Sequence, residues 1–175
     1  NVEPNYAKIK KYAAECRMPL CYGGGIKTVE QAKAVIGLGV EKIALSSGVI
    51  GNLSLISQLA SELGSQSVVV VLDVKRDLFG RYKVFTHNGN QSTGLDLTRL
   101  VSDVQEYGAG EIVINSIDRD GTFEGYDFKL ARAVKRQISI PLTVLGGAAS
   151  LDDMEKLISD NGIIGCGAGS LFVFK

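Results

Sequence analysis

Apolar residues recur along the chain in two alternating rhythms, one helical and one of short unbroken runs. From Pro4 to Glu15, Tyr6, Ile9 and Ala13 fall on one side of a helix that a proline opens. Pro19-Leu20-Cys21-Tyr22 is a short apolar run ending in Gly23-Gly24-Gly25, the pattern of a buried strand and its turn. Thr28-Val29-Glu30-Gln31 is a capping box, and the helix it opens stops at Gly37 and Gly39. Lys42 to Ser46 reads as a second strand. A helix from about Asn52 to Leu63 follows, with Leu55, Ile56, Leu59, Ala60 and Leu63 at helical spacing.

Ser67 to Asp73 is the clearest strand. Its apolar run is continuous, which predicts burial on both faces, as in parallel sheets. The segment from about 74 to 87 departs from the rhythm: Leu78-Phe79-Gly80-Arg81 suits a hairpin turn, with Tyr82 to Thr86 returning. A polar loop is expected from Asn88 to Gly94, then a helix near Asp96 to Tyr107 and a strand Glu111 to Asn115. Asp127 caps a further helix, Pro141 to Leu145 is a strand, Ser150 and Asp153 cap the next helix, and Ile163 to Cys166 is the last strand.

Six strands alternating with six helices predict parallel βα units, in an open doubly wound sheet or a closed barrel. An internal repeat decides. Residues 18–29, Met-Pro-Leu-Cys-Tyr-Gly-Gly-Gly-Ile-Lys-Thr-Val, align with 140–151, Ile-Pro-Leu-Thr-Val-Leu-Gly-Gly-Ala-Ala-Ser-Leu, at an offset of 122. After a one-residue insertion Ser47 aligns with Ser170, so the segment 18–47 repeats as 140–170. Four βα units separate the copies, and two four-unit halves make a (β/α)8 TIM barrel. That fold needs about 250 residues, ~200 at least. At 175 residues the chain supplies six of the eight units, in one partial domain spanning 1–175. The first two strands and the last helix are expected outside a sequence that opens on Asn1 and not on Met.

Composition narrows the function classes. Nineteen Lys plus Arg balance nineteen Asp plus Glu, which argues against a general grip on nucleic acid or an anionic membrane. No stretch approaches the roughly 18 uninterrupted apolar residues of a membrane span, and no secretory leader is apparent. Three cysteines without a CxxC, and a single His, leave almost no ligands for zinc; buried free thiols in a reducing cytoplasm are expected.

In such a barrel the chemistry lies at the carboxyl ends of the strands. Those positions hold Gly24 and Gly25, Ser46 and Ser47, Asp73, Asn115 with Asp118 and Asp120, Gly146 and Gly147, and Gly169 with Ser170. Each glycine turn is paired with a serine some 23 residues later. Bare backbone N–H groups, a helix N-terminus and a hydroxyl are what a phosphate needs. One such turn would equally suit tight βα connection; two copies related by the repeat point to two phosphate sites and a long substrate phosphorylated at both ends. Asp73, closing the most apolar strand, suits a general acid or base, or a strand-end carboxylate that fixes a loop. Asp118 and Arg119 suit an internal ion-pair turn. His87 has no evident partner and reads as a surface residue. Lys42 and Glu111 stand at the opposite mouth, as ordinary strand-end charges or as an ion pair.

The motifs Pro-Leu-x-x-Gly-Gly-Gly-Ile from Pro19, Gly64-Ser65-Gln66 before Val68, Asp73-x-Lys75-Arg76, Gly108-Ala109-Gly110-Glu111-Ile112, Asp118-Arg119-Asp120-Gly121-Thr122 and Gly125-Tyr126-Asp127 appear in order. They resemble, over essentially the whole chain, the cyclase subunit of imidazole glycerol phosphate synthase, an ammonia-using barrel of histidine biosynthesis. The resemblance implies a cytoplasmic lyase that receives ammonia from a glutaminase partner docked on the N-terminal face. The ammonia attacks a bis-phosphorylated formimino-carboxamide ribonucleotide, giving imidazole glycerol phosphate and aminoimidazole carboxamide ribotide. It implies catalytic aspartates on the first and fifth barrel strands, Asp73 matching the fifth. Gly24, Gly25 and Ser47 match one phosphate site, and Gly146, Gly147 and Ser170 the other. Asp120 matches a substrate-binding residue, and Lys42 and Glu111 match two members of the ammonia gate. No metal or organic cofactor is expected.

Three positions at the substrate mouth depart from the family pattern: Ser46 for a usual Asn, Asn115 for a usual Thr, and Leu145 for a usual Ser. Cys21-Tyr22 and Leu145 also resemble paralogues found with surface-polysaccharide genes, thought to pass glutamine-derived ammonia to a sugar amidation. The cyclase is the first expectation and that paralogue the second. A non-catalytic activator of a glutaminase is the third; it would let the carboxylate and glycines of the upper face decay, and they are kept.

Overall fold

A computed structural model describes residues 3–87 and 89–173. Its first elements are α1 (Tyr6–Glu15), β1 (Cys21–Gly23), α2 (Val29–Ile36), β2 (Lys42–Leu45), α3 (Ser47–Ile50) and α4 (Ser54–Leu63). A single 3-10 turn, Ser65–Ser67, leads into β3 (Val68–Arg76), β4 (Tyr82–Thr86) and β5 (Gln91–Asp96). Then come α5 (Leu97–Glu106), β6 (Glu111–Ser116), α6 (Phe128–Lys135), β7 (Leu142–Leu145), α7 (Leu151–Asn161), β8 (Gly165–Cys166) and α8 (Ser170–Val173).

Six strands pair in parallel in the order β1-β2-β3-β6-β7-β8, joined by helices on the outer face. This is the curled parallel sheet of a (β/α)8 barrel, present here as six strands. Strand alternation sorts the side chains. Ile43, Val68, Val70, Leu72, Ile112, Ile114, Leu142 and Val144 point outward under the helices and are buried. Each contributes about 1.5–3 kcal/mol relative to exposure. The helices answer with apolar stripes: Leu97, Leu100, Val101 and Val104 on α5, and Leu130, Ala131 and Val134 on α6.

The continuous apolar run of β3 is therefore not buried on both faces throughout. Val69 is buried, but Val71 and Asp73, on the inner face nearer the carboxyl end, are half-buried. Among the described residues β1 and β8 do not pair, so the inner face lines an open trough.

Helix starts follow the expected chemistry. Thr28 and Ser150 each form a full capping box, with Gln31 and Asp153 reciprocating, and these two boxes lie 122 residues apart. Asn5, Asp96 and Asp127 cap α1, α5 and α6 through their side-chain oxygens.

Several expectations are corrected. Between Asn52 and Leu63 the helix begins only at Ser54, with the short α3 before it. The strand of Asp73 runs on to Arg76, because β4 pairs antiparallel with its end, matching Asp73 to Phe85 and Arg76 to Tyr82. The polar loop expected from Asn88, itself outside the described residues, is instead β5 from Gln91, antiparallel to β4. Its residues are mostly exposed on both sides, so backbone pairing holds it and no apolar alternation could announce it. Cys16 and Cys21 are exposed and Cys166 half-buried, all free. His87 is exposed and its Nδ1 lies 3.1 Å from Thr86 Oγ1. Among the described residues no helix is long and apolar enough to cross a membrane.

Candidate active site

The parallel register brings the carboxyl ends of the strands to one rim. Leu45 pairs with Val70, Asp73 with Asn115, and Asn115 with Leu145, so the loops leaving these strands open on the same side. Two hollows result. The roomier, of about 310 Å³, runs from the first glycine turn across Ser46 and Ser47 to Asp73. The tighter, of about 20 Å³, lies among Asp120, Gly146, Gly147, Gly169 and Ser170, walled by Leu145 and Phe123.

The two glycine turns share a backbone conformation. Gly24 and Gly25 have φ of 125° and 71°, and Gly146 and Gly147 have 99° and 93°. Only glycine adopts this region without strain. At Gly147 a side chain is also excluded by contact: a Cβ would stand 2.3 Å from the Gly125 carbonyl oxygen. The Gly125 N–H in turn donates to the Gly147 carbonyl at 2.8 Å, so the loop carrying Asp120 is fastened to the second glycine turn. α3 starts at Ser47 and α8 at Ser170, placing a hydroxyl and a helix start beside each turn.

Asp73 stands in the roomier hollow, its Oδ1 accepting from Asn115 Nδ2 at 3.0 Å. The Asn115 Oδ1 is buried and has no hydrogen-bond partner among the described residues. Asp118 makes no ion pair with Arg119. Its Oδ2 accepts from the Arg76 backbone N–H at 2.8 Å and its Oδ1 lies 3.9 Å from Lys75 Nζ. Arg119 donates instead to the carbonyls of Glu124 and Gly125, at 2.9 and 3.0 Å. The reason is topological: Ile117 N–H donates to the Val74 carbonyl, which extends the β3–β6 ladder and lays Asp118 against β3.

At the opposite mouth Lys42 Nζ meets Glu111 Oε2 at 2.6 Å, with 42% and 17% of the side chains exposed. Glu111 Oε1 also accepts from Thr143 Oγ1 at 2.8 Å, fixing the pair across three strands of the sheet. The sequence-predicted residues thus fall into three groups: Gly24, Gly25, Ser46 and Ser47 with Asp73; Asp120, Gly146, Gly147, Gly169 and Ser170; and Lys42 with Glu111 at the far end. Asn115 lies between the first two.

Three residues of this region carried no sequence signal as site components. Phe123, exposed at the tighter hollow, holds a φ of 57°, rare for a bulky side chain. Tyr126 is fully buried and donates through its hydroxyl to the Gly167 carbonyl at 3.0 Å, steadying the loop that leads to Gly169 and Ser170. Burial first, then the neighbouring Cys166 and Asp153, push its phenol up to about 12. Arg76 reaches both Asp127 oxygens, at 3.0 and 2.9 Å, and the Tyr82 hydroxyl at 2.7 Å, tying the hairpin to the start of α6. Position in the fold alone brings these groups together.

Fold and site together define a (β/α)-barrel fold with two hollows and its candidate site residues at the carboxyl ends of its strands. The chain belongs to the histidine biosynthesis protein family, whose profile matches residues 1–175. It is 55% identical over 174 residues to a protein of Leptospira borgpetersenii provisionally named imidazole glycerol phosphate synthase subunit HisF, covering 99% of this chain and 68% of that one. It is 52% identical to a Vibrio vulnificus protein provisionally named subunit hisF3, over 99% of this chain and 67% of the relative. It is 38% identical to the Alkaliphilus metalliredigens imidazole glycerol phosphate synthase subunit HisF, over 95% and 66%. The chain thus spans about two thirds of the length of these relatives.

Proposed function

We propose that this chain carries the ammonia-dependent cyclase of histidine biosynthesis. It converts a bis-phosphorylated formimino-carboxamide ribonucleotide to imidazole glycerol phosphate and aminoimidazole carboxamide ribotide. The observation that carries this reading is the pair of glycine turns of like conformation, one on each side of Asp73 and Asn115. In this reading the turns and their serines hold the two phosphates, in halves related by the offset of 122. The backbone N–H groups supply the donors, and bare glycine lets the anion approach closely. Asp120 binds the substrate near the second phosphate. Holding both ends fixes the reacting carbon over the trough, so orientation supplies much of the rate. Asp73 accepts and returns protons as ammonia adds and the ring closes.

Ammonia comes from a glutaminase docked on the face bearing Lys42 and Glu111. Their ion pair narrows the entrance at the N-terminal ends of the strands. The test is imidazole glycerol phosphate formation by the intact protein supplied with ammonium salt. Turnover is expected; tight binding of the bis-phosphorylated substrate without product would sink the cyclase.

A second reading takes its support from the departures at the rim. Identity is 52% to the Vibrio vulnificus relative provisionally named subunit hisF3 and 38% to the Alkaliphilus subunit HisF. Asn115 and Leu145, both departures from the family pattern, line the rim. A paralogue that feeds glutamine-derived ammonia to sugar amidation fits those two facts. Incorporation of labelled amide nitrogen into a sugar acceptor, without imidazole glycerol phosphate, would establish it in place of the first.

A further inference from the structure

Asn115 and Asp73 are direct partners in the parallel β3–β6 ladder, so both side chains leave the sheet on the same inner face. The amide nitrogen donates to Asp73 Oδ1 at 3.0 Å. An ionised carboxylate only accepts, so the amide can face it only with its NH2 group. That orientation turns Oδ1 away, and there it is buried with no donor among the described residues. It packs toward the second glycine turn, where a Cβ on Gly146 would stand 3.3 Å from it. A buried acceptor without a donor is destabilising, and an apolar side chain of the same shape would remove the cost. Packing alone therefore disfavours asparagine at this position.

We propose that Asn115 is a positioning residue: its NH2 group fixes the Asp73 carboxylate in one rotamer over the trough, at the cost of its own stranded oxygen. This rests on Asp73 being the proton-transfer group. A carboxylate free to rotate would be aligned with the reacting atoms only part of the time, whereas one held by a charge-assisted hydrogen bond stays aligned. The role is distinct from substrate contact: Asn115 acts through Asp73.

The test compares the intact wild-type protein with Asn115→Leu and Asn115→Thr, using melting temperature, carbon-13 relaxation of the Asp73 carboxyl carbon, and steady-state kinetics with ammonium. Asn115→Leu is expected to melt at or above the wild-type temperature and to show a mobile Asp73 carboxyl group. Its kcat should fall about tenfold or more. Its KM for the bis-phosphorylated substrate should stay within about threefold, and Asn115→Thr, which keeps a donor, should recover part of kcat. A rigid Asp73 in the leucine variant overturns the proposal. So does a leucine variant that melts well below wild type and loses kcat and KM together, since that marks a purely structural residue. If the wild type lacks cyclase turnover, the cyclase reading falls separately. The relaxation measurement then still decides: a mobile Asp73 supports the positioning role and a rigid one overturns it.

Discussion

Asp73 and Tyr126 differ in what their surroundings ask of them. Asp73 is half-buried at the rim, with one hydrogen bond from Asn115. Replacing it by Asn keeps shape and leaves the ladder to β6 intact. Asp73→Asn should abolish turnover, a loss of at least about 100-fold for a proton-transfer group, while shifting the melting temperature by no more than a degree or two; retained activity would remove Asp73 from the mechanism. Tyr126 is fully buried, and its phenol is pushed up to about 12 from an ordinary value of 10. Between those two values the unfolded chain gives up this proton and the folded one keeps it, so folding stability falls as pH rises through the interval. Tyr126→Phe removes that contribution. Urea midpoints at pH 9 and pH 11 should therefore drop more for wild type than for the variant, and equal drops would show that Tyr126 does not couple to folding.

At the scale of elements, the hairpin is held by one buried carboxylate. Asp127 caps α6 by accepting from the Leu130 N–H at 3.0 Å, and the same side chain receives Arg76 and Tyr82 from β3 and β4. Arg76 is partly exposed, which lowers the value of its pairing. Asp127→Ala should cost about 2–3 kcal/mol, from the lost cap and the stranded Arg76 and Tyr82 donors. Asp127→Asn, which keeps the cap, should cost about half as much. Chemical denaturation decides it; equal losses would mean the hairpin contact, not the cap, dominates. Turn chemistry made α2, α6 and α7 legible in the sequence, because Thr28, Asp127 and Ser150 act within four residues of where they stand. β5 was not legible. Gln91 to Asp96 carries no alternation, and its place is decided by a neighbouring edge that offers free backbone groups.

For the whole molecule the two mouths of the trough act apart. Lys42 and Glu111 lie at the N-terminal ends of β2 and β6, and Asp73 and Asn115 at the carboxyl ends of β3 and β6. Lys42→Ala should thus impair glutamine-dependent turnover, assayed with the partner glutaminase, several-fold more than turnover with free ammonium. Equal losses would place Lys42 outside any gate. The residues of the candidate site were legible individually: glycines after apolar runs, an aspartate at the end of the most apolar run, and a serine some 23 residues beyond each glycine turn. Their grouping into two hollows with Asn115 between them was not, because it depends on strand order and register.

By itself the sequence determined the parallel βα class, the helix caps and the two glycine turns. Each follows from local steric and hydrogen-bonding preferences or from the repeat of such signals at a fixed offset. Only the tertiary structure decided which residues meet. It drew Asp118 away from Arg119 to β3, set Asn115 opposite Asp73, and sank Tyr126 beneath the loop at Gly167. Those pairings join positions some 40 residues apart, such as 73 with 115 and 126 with 167, and are selected by ladder register and sheet curvature. Neither is written in any short stretch of side chains, since both arise from how whole strands align.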